Sequence, residues 1–302
     1  MNIPKCEIGL IGGSGTLSAE IPEDLGLDYI EVKAKNMIFE TPYGPSPEFK
    51  WLLLNKVGGH TCSTGMSPIA EAKSVLCCRM HGWRSGVSRA DASRQVFWVF
   101  KQAGVKKVLA EGGVGAINHL LRPRDIVIPH DYMDFSLRKD ICLEDRYLLM
   151  MRDALCANMI KKLNETITHY WTKGRVFDRG VYVNTDGRHF ESPAEVAMFK
   201  ISGGDIVGQS ICPEVYLARE IGACYAGVYL VVNYAEGIVS PWQHEELEDI
   251  FNSESLALGK CIFEFLRDLE LEKTCNCAEL RKDTLLKKVY NATGRNEWEE
   301  LK

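Results

Sequence analysis

The sequence predicts an α/β fold built on a mainly parallel or mixed β-sheet. Apolar runs of strand length alternate with segments of helical periodicity, and strands separated by helices require crossover connections. The run at 223–232 is almost wholly apolar, which is typical of a strand buried on both faces. The length of 302 residues suits one α/β core domain with extensions.

The alternation of strands and helices runs along most of the chain. The first helix is the best delimited, because Ser88 and Asp91 have capping-box spacing and Gly104 follows the last periodic residue. Predicted strands lie at 7–11, 51–54, 75–78, 108–110, 126–129, 180–183, 205–207 and 223–232. Predicted helices lie at 88–103, 145–162, 193–201, 213–221 and 244–269.

The segment 208–233 is the most informative part of the chain. Pro213 suits the first turn of a helix, Glu214 faces the positive end of the helix dipole, and Gly222 supplies a left-handed residue that ends the helix. The apolar strand that follows ends on Asn233. Because open α/β sheets bind ligands beyond the carboxyl ends of their strands, Asn233 is a candidate ligand contact.

Composition and charge exclude several classes of partner. A net charge of −5 gives no general attraction for nucleic acid or for an anionic membrane surface. No apolar run approaches the length of about 20 residues that spans a bilayer. We therefore expect a small-molecule ligand, with neither nucleic acid nor membrane as a partner.

The eleven cysteines favour a reduced, cytoplasmic compartment, and the start of the chain shows no charged-apolar-small signal pattern. Neither Cys77-Cys78 nor Cys275-Asn-Cys277 has a matching second pair at zinc spacing. The sequence therefore predicts ordinary thiols and no metal site.

A glycine-rich loop at 11–15 follows the first predicted strand. Its backbone amides can approach an anion closely, and Ser14 adds a hydroxyl. The loop does not fit the dinucleotide fingerprint, and no Lys-Ser/Thr pair follows as in a nucleotide P-loop. The alternatives are an anion site and a plain tight turn between strand and loop.

Four segments resemble, in type and order, the purine nucleoside phosphorylase and methylthioadenosine phosphorylase family. They are Ile8-Gly-Leu-Ile-Gly-Gly-Ser-Gly15, Arg124-Asp-Ile-Val-Ile128, Asp186-Gly-Arg-His-Phe-Glu-Ser-Pro-Ala-Glu195 and Cys212-Pro-Glu-Val215. The resemblance covers about residues 6 to 268. It implies a three-layer α/β/α sandwich around a distorted mixed sheet, formed by residues 1–268, and a homo-oligomer, most commonly a trimer.

The resemblance fades in residues 269–302, which become charged. Leu280, Leu285, Leu286 and Val289 stand there at helical spacing. We expect a charged C-terminal helical extension that packs on the core or on a neighbouring subunit, with disorder as the alternative.

The reaction that the resemblance implies is attack of inorganic phosphate, as co-substrate without a cofactor, on C1′ of a purine nucleoside. The residues that match its phosphate site are Ser14, Arg79, His81 and Ser210, with Met80 intruding in the family's Arg-His-Gly segment. A second departure is the run 111–115, where glycines replace a phosphate-binding hydroxyl. Glu111 stands beside them and would repel an anion if it pointed inward.

The residues that match the sugar and base sites are Gly113, Phe190, Gln209, Asn233 and His244. Gln209 replaces a family Met along the ribose and either binds a sugar hydroxyl or turns to the surface. His244 lies near the sugar 5′ group or is a structural residue at the start of a helix. Phe190 matches the aromatic ring that stacks on the purine, and Asn233 stands where adenine-specific relatives carry Asp.

These matches predict a purine nucleoside or 5′-methylthio-purine-nucleoside phosphorylase, with Ser210 and Asn233 as catalytic residues and a preference for 6-oxopurines. Two alternatives remain because the phosphate site departs from the family. One is a nucleoside hydrolase on the same fold, in which water replaces phosphate. The other is a catalytically weak protein that binds a nucleoside.

Overall fold

The computed structural model describes residues 2–55 and 72–284. The strands are β1 (Ile8–Ile11), β2 (Ile30–Met37), β3 (Glu40–Thr41), β4 (Gly44–Pro45), β5 (Phe49–Leu54), β6 (Lys73–Cys78), β7 (Lys107–Ala116), β8 (Ile126–Val127), β9 (Asp131–Asp134), β10 (Tyr147–Leu149), β11 (Val176–Phe177), β12 (Val181–Asn184), β13 (Ile206–Gly208), β14 (Cys224–Tyr234) and β15 (Arg281–Asp283). The α-helices are α1 (Arg89–Ala103), α2 (Ala157–Tyr170), α3 (Pro193–Ile201), α4 (Ile211–Glu220) and α5 (His244–Asp268).

Eleven strands form one mixed sheet, in the order β11-β8-β14-β7-β1-β6-β5-β2, with β13 branching from β7 and leading through β12 to β9. The centre is parallel, since β14, β7, β1 and β6 run in the same direction. The outer pairs β14–β8, β6–β5 and β5–β2 are antiparallel. This mixed and branched sheet confirms the predicted fold class.

Helices cover both faces of the sheet. Side chains that alternate along β1 enter different clusters, because successive residues of a strand point to opposite faces. Ile11 packs in a cluster with residues of α1 and α4, whereas Ile8 and Leu10 pack with residues of α2 and α5. The sandwich therefore has the three predicted layers.

One register shift lies in β14, between Val231 and Asn233. Val231 pairs with Val114 and Asn233 pairs with Gly115, so two residues of β14 oppose one residue of β7. Such a bulge bends its strand and re-aims the side chains beyond it. It is one source of the distortion expected of this sheet.

The predicted helix at 145–162 is wrong in its first half, because α2 begins at Ala157 and 147–149 form β10. The missed strand β2 alternates half-buried Ile30, Val32 and Ala34 with exposed charged residues, the pattern of a strand at the sheet edge. Edge strands bury one face only, so they lack the continuous apolar run on which strand prediction relied.

The C-terminal extension contacts the core. In its described part, 269–284, the secondary structure is a short 3₁₀ turn at Cys277–Glu279 and the strand β15, which pairs with β10. Of the four residues on which the helical prediction rested, Leu280 is buried immediately after this turn, and Leu285, Leu286 and Val289 lie outside the described residues. No helix among the residues described is long and apolar enough to cross a membrane.

Candidate active site

A cavity of about 200 Å³ opens at the carboxyl ends of β1, β7 and β14. These strands are parallel, so the segments that follow them meet at one edge of the sheet. Seven of the predicted site residues line the cavity, namely Ser14, His81, Gly113, Phe190, Gln209, Ser210 and Asn233. Arg79 and His244 do not.

Ser14 is held against β7 by a backbone contact. The Gly113 N–H donates to Ser14 Oγ at 2.9 Å, which leaves the hydroxyl proton of Ser14 free to bind a ligand. A Cβ at Gly113 would lie 2.8 Å from the Phe251 ring and 3.0 Å from Ser14 Oγ. Only glycine therefore fits between the glycine loop and α5 at this point.

His81 follows β6 in a short turn where Met80 and His81 have φ of 47° and 55°. Such left-handed conformations are costly for residues with a side chain and cluster at functional sites. The His81 N–H donates to Gly12 O at 3.0 Å, which fixes the turn against the glycine loop. His81 Nε2 lies 2.6 Å from the position of a Cβ on Gly13, so the ring and the loop are in close contact.

Glu214 orients the His81 ring. The two side chains are buried, and Nδ1 of His81 lies 2.7 Å from Glu214 Oε1. Tyr225 donates its hydroxyl to the other carboxylate oxygen at 2.9 Å. The carboxylate holds a proton on Nδ1 and leaves Nε2 for the cavity. In the sequence Glu214 was interpreted only as a charge at the start of a helix.

Ser210 immediately precedes α4, in which Cys212 has an extended, non-helical conformation. Its hydroxyl is 3.3 Å from the Tyr182 hydroxyl, which also accepts the Ser210 N–H at 3.3 Å. Ser210 makes no capping hydrogen bond with its side chain. Ser14, His81 and Ser210 thus offer two hydroxyls and one imidazole to the same cavity.

Glu111 points away from this cavity. Its Oε1 accepts the Thr16 hydroxyl at 2.7 Å and the Gly13 N–H, and it lines a separate small pocket behind the glycine loop. Burial raises the pKa of the Glu111 carboxyl, and its Oε2 has no partner among the described residues. Glu111 therefore does not direct its carboxylate at an anion in this cavity. The Gly13 N–H, however, is bound to Glu111 and is not free to bind an anion.

Arg79 and His244 are directed elsewhere. The Arg79 guanidinium forms an ion pair with Glu20 at 2.8 Å and donates to Leu17 O at 2.8 Å. The His244 side chain is 70% exposed and lies 3.4 Å from Glu248, one turn along α5. Within the described part of the lining, His81 is the side chain able to carry positive charge.

Gln209 lines the cavity, and its side-chain amide is bound within the protein. Its Oε1 accepts from Arg89 Nη1 at 2.9 Å, and its Nε2 donates to His189 O at 3.1 Å. Arg89 also donates to Asp186 O at 2.6 Å. Gln209 therefore ties the loop that carries Phe190 to α1, and both ends of its amide are engaged within the protein.

The other end of the cavity carries Asn233 and an aromatic pair. Asn233 Nδ2 donates to Tyr234 O at 2.9 Å, whereas Oδ1 is buried with no partner among the described residues. Phe190 is half-exposed and packs on Trp242 with ring centroids 4.7 Å apart. Sequence reasoning missed Trp242, which lies in the same segment as the predicted His244.

The chain is similar to known proteins along most of its length. A family model described as the phosphorylase superfamily matches residues 7–267. A probable S-methyl-5′-thioinosine phosphorylase of Methanopyrus kandleri is 34% identical over 282 residues, 90% of this chain and 96% of that protein. A probable 6-oxopurine nucleoside phosphorylase of Moorella thermoacetica is 30% identical over 278 residues, 90% of this chain and 96% of that protein.

Solved structures show the same fold. A methylthioadenosine phosphorylase from Schistosoma mansoni in complex with adenine has a TM-score of 0.70 at 19% identity, covering 90% of this chain and 95% of that chain. Because the family model spans most of the sequence and the relatives match along nearly their whole length, the chain belongs to the phosphorylase superfamily, as an enzyme of the nucleoside phosphorylase (pentosyltransferase) type.

Proposed function

We propose that this enzyme cleaves the N-glycosidic bond of 6-oxopurine nucleosides, with inorganic phosphate as the attacking group. The observation that carries the proposal is the buried and unpartnered Oδ1 of Asn233 at the end of β14. A buried polar atom left without a partner costs about 1–3 kcal/mol, so Oδ1 favours a ligand that brings a hydrogen-bond donor.

The amide also distinguishes between bases. A purine that leaves with a proton on N7 offers N7–H as a donor to Oδ1. In a 6-oxopurine the neighbouring O6 is an acceptor for the second proton of Asn233 Nδ2. In a 6-aminopurine the neighbouring group is a donor, so both base atoms require acceptors and a carboxylate suits them better. A mismatched hydrogen bond in such a site lowers specificity strongly.

The names of relatives support the same base preference. The proteins of Methanopyrus kandleri and Moorella thermoacetica are named for methylthioinosine and 6-oxopurine nucleosides. The methylthio form suits this cavity, because α5 presents Leu247 and Phe251 to it. These apolar side chains can bury a methylthio group, whereas a 5′-hydroxyl would lose hydrogen bonds to water there.

Phosphate binding rests on Ser14, His81 and Ser210. The transition state resembles an oxocarbenium ion, so an anion held under the sugar lowers the barrier. The observation that favours the hydrolase alternative is that neither lysine nor arginine lines the described part of the cavity. Water, unlike phosphate, needs no cationic partner.

The experiment is to measure base release from inosine, 5′-methylthioinosine, adenosine and 5′-methylthioadenosine at increasing phosphate. We expect saturable dependence on phosphate, a sugar 1-phosphate as product, and the highest kcat/KM for 5′-methylthioinosine. Equal rates without phosphate, with free sugar as product, would identify a hydrolase. Ligand binding without any base release would identify a nucleoside-binding protein.

A homo-oligomer, with a trimer as the expected state, is part of this proposal. Large apolar side chains are exposed beside the loop that borders the cavity, with Leu137 94% and Phe135 43% accessible in the single chain. Phe135 packs on Phe199 of α3, with ring centroids 4.8 Å apart. Apolar surface of this kind supports contact with another subunit. Light scattering coupled to gel filtration gives the subunit number, and a monomeric mass would contradict this part of the proposal.

A further inference from the structure

Four cysteines that are distant in sequence meet beside the amino end of β14. Cys156 immediately precedes α2, Cys224 is the first residue of β14, and Cys275 and Cys277 belong to the segment that follows α5. Their Sγ atoms all lie within 4.8 Å of one another. Three of the residues are buried and Cys275 is partly buried.

We propose that these four thiols bind one zinc ion as a closed tetrahedral site. Four thiolates at about 2.3 Å from a zinc ion in a tetrahedron lie about 3.8 Å from one another. The observed sulfur group is of this size, and the Sγ atoms of Cys224 and Cys275 are 3.3 Å apart. Small side-chain movements are therefore enough to complete the coordination.

The surroundings favour the anionic charge of four thiolates. Cys156 is the N-cap residue of α2, where the positive end of the helix dipole stabilises a thiolate. The buried Arg219 donates to the carbonyls of Cys277, Asp153 and Ala154, and it forms no ion pair within the described residues. A zinc ion with four thiolates has a net charge of −2, which supplies a negative partner to this guanidinium.

The set of ligands indicates a structural role. Four protein ligands leave no open position for water or substrate, in contrast to catalytic zinc sites. The ion would join the start of α2, the start of β14 and the C-terminal segment, three parts of the chain that are far apart in sequence. Lys273 in that segment also donates to Gly222 O, and β15 pairs with β10, so the ion would reinforce existing contacts.

The competing chemistry is a disulfide between two of these thiols, since all four are free cysteines here. A disulfide joins two sulfurs and removes them as zinc ligands, so the two states exclude each other at this site. Measuring metal and disulfide content in the same sample separates them.

The test uses the full chain expressed with added zinc sulfate and purified in reducing buffer. Metal analysis by plasma mass spectrometry should give one zinc per chain. Exchange with cobalt(II) should produce the visible absorption of a tetrahedral cobalt–thiolate centre. A metal-free wild-type protein, or a disulfide among these four cysteines in the reduced sample, would overturn the proposal.

Cys275→Ser and Cys277→Ser are the informative variants, because both lie in the C-terminal segment outside the α-helices and the central sheet, and the variants should still fold. Each should lose most of the bound zinc, whereas the matched control Cys142→Ser, outside the cluster, should retain it. A strong chelator should lower the melting temperature of the wild type and of the control, and leave that of the variants unchanged. Equal zinc content in all of these proteins would reject the four-cysteine site.

Discussion

The two ends of β14 differ in how their functional groups are assembled. The carboxyl end leads to Asn233 and to a cavity built from segments that follow neighbouring strands. The amino end begins at Cys224 and gathers thiols from three distant parts of the chain. The first arrangement leaves a buried polar atom unpartnered for a ligand, whereas the second is closed by the protein. On the two proposals made above, the carboxyl end serves turnover and the amino end serves stability.

The largest effect is expected at the carboxyl end from His81→Ala. The substitution removes the side chain of the described lining that can carry positive charge, so kcat/KM should fall by about 10²–10³. The matched control is His244→Ala, whose exposed ring lies outside the cavity. The measurement is phosphate-dependent base release, and equal effects of both substitutions would contradict the assignment.

Asn233→Asp should shift the choice of base toward 6-aminopurines. The carboxylate accepts from both donors of a protonated adenine and repels the O6 of hypoxanthine. The ratio of kcat/KM for inosine-type to adenosine-type substrates should fall about 10- to 100-fold, the range of one mismatched buried hydrogen bond. A wild-type enzyme that prefers adenosine-type substrates would show that Asn233 does not select the base.

Leu247→Ser should act on the 5′ group alone. The kcat/KM for 5′-methylthioinosine should fall about tenfold, the scale of burying one or two methyl groups at about 0.8 kcal/mol each. Inosine should be affected less, since its 5′-hydroxyl gains a polar neighbour. The control is Leu256→Ser, whose side chain is exposed on the same helix. An equal loss for both substrates would argue against contact between Leu247 and the 5′ group.

Cys277→Ser tests the amino end of β14. It should lower the melting temperature while kcat/KM and the base preference stay within about twofold, because substitutions at separate sites act independently. Differential scanning calorimetry and the same base-release assay measure the two quantities. A change in base preference would mean that the two ends of β14 are coupled.

The smallest effect is expected from Glu111→Gln. The quantity to measure is the free energy of unfolding as a function of pH. Burial raises the pKa of this carboxyl, so the folded state holds its proton more tightly than the unfolded chain does. The free energy of unfolding therefore falls as pH rises from the unfolded pKa of about 4.3 through the folded pKa. Glutamine cannot ionise, so this slope should flatten relative to Glu40→Gln, an exposed control. If the free energy of unfolding of the Glu111→Gln protein depended on pH as steeply as that of the wild type, the pH dependence would not come from Glu111.

The sequence predicted the fold, and seven of its nine candidate site residues lie at the cavity, because both depend on local signals. A continuous apolar run identified β14, and Asn233 could be placed at its end without knowing any contact. Arg79 and His244 could not be placed, because the direction of a long or terminal side chain depends on partners such as Glu20 that are remote in sequence. The pairing of His81 with Glu214 was missed for the same reason.

The cysteine group shows the limit of spacing rules most clearly. Those rules predicted no metal site, since Cys275 and Cys277 lack a second pair nearby in sequence. In the structure Cys156 and Cys224 lie beside Cys275 and Cys277, because β14 and α2 pack side by side, and the proposed zinc site rests on this contact. Information of this kind resides in the topology of the sheet and not in any short segment.

The bulge in β14 also decides which side chain the ligand meets. Successive side chains of a strand point to opposite faces of the sheet, so the face of each side chain depends only on whether its position is odd or even. The extra residue between Val231 and Asn233 reverses that parity for the rest of the strand. If β14 continued in regular register without the bulge, Val232 would pair with Gly115 and Asn233 with Ala116, and the amide would lie on the opposite face of the sheet. The face that the amide occupies in this fold is thus set by the register of one strand, without any change in the identity of its residues.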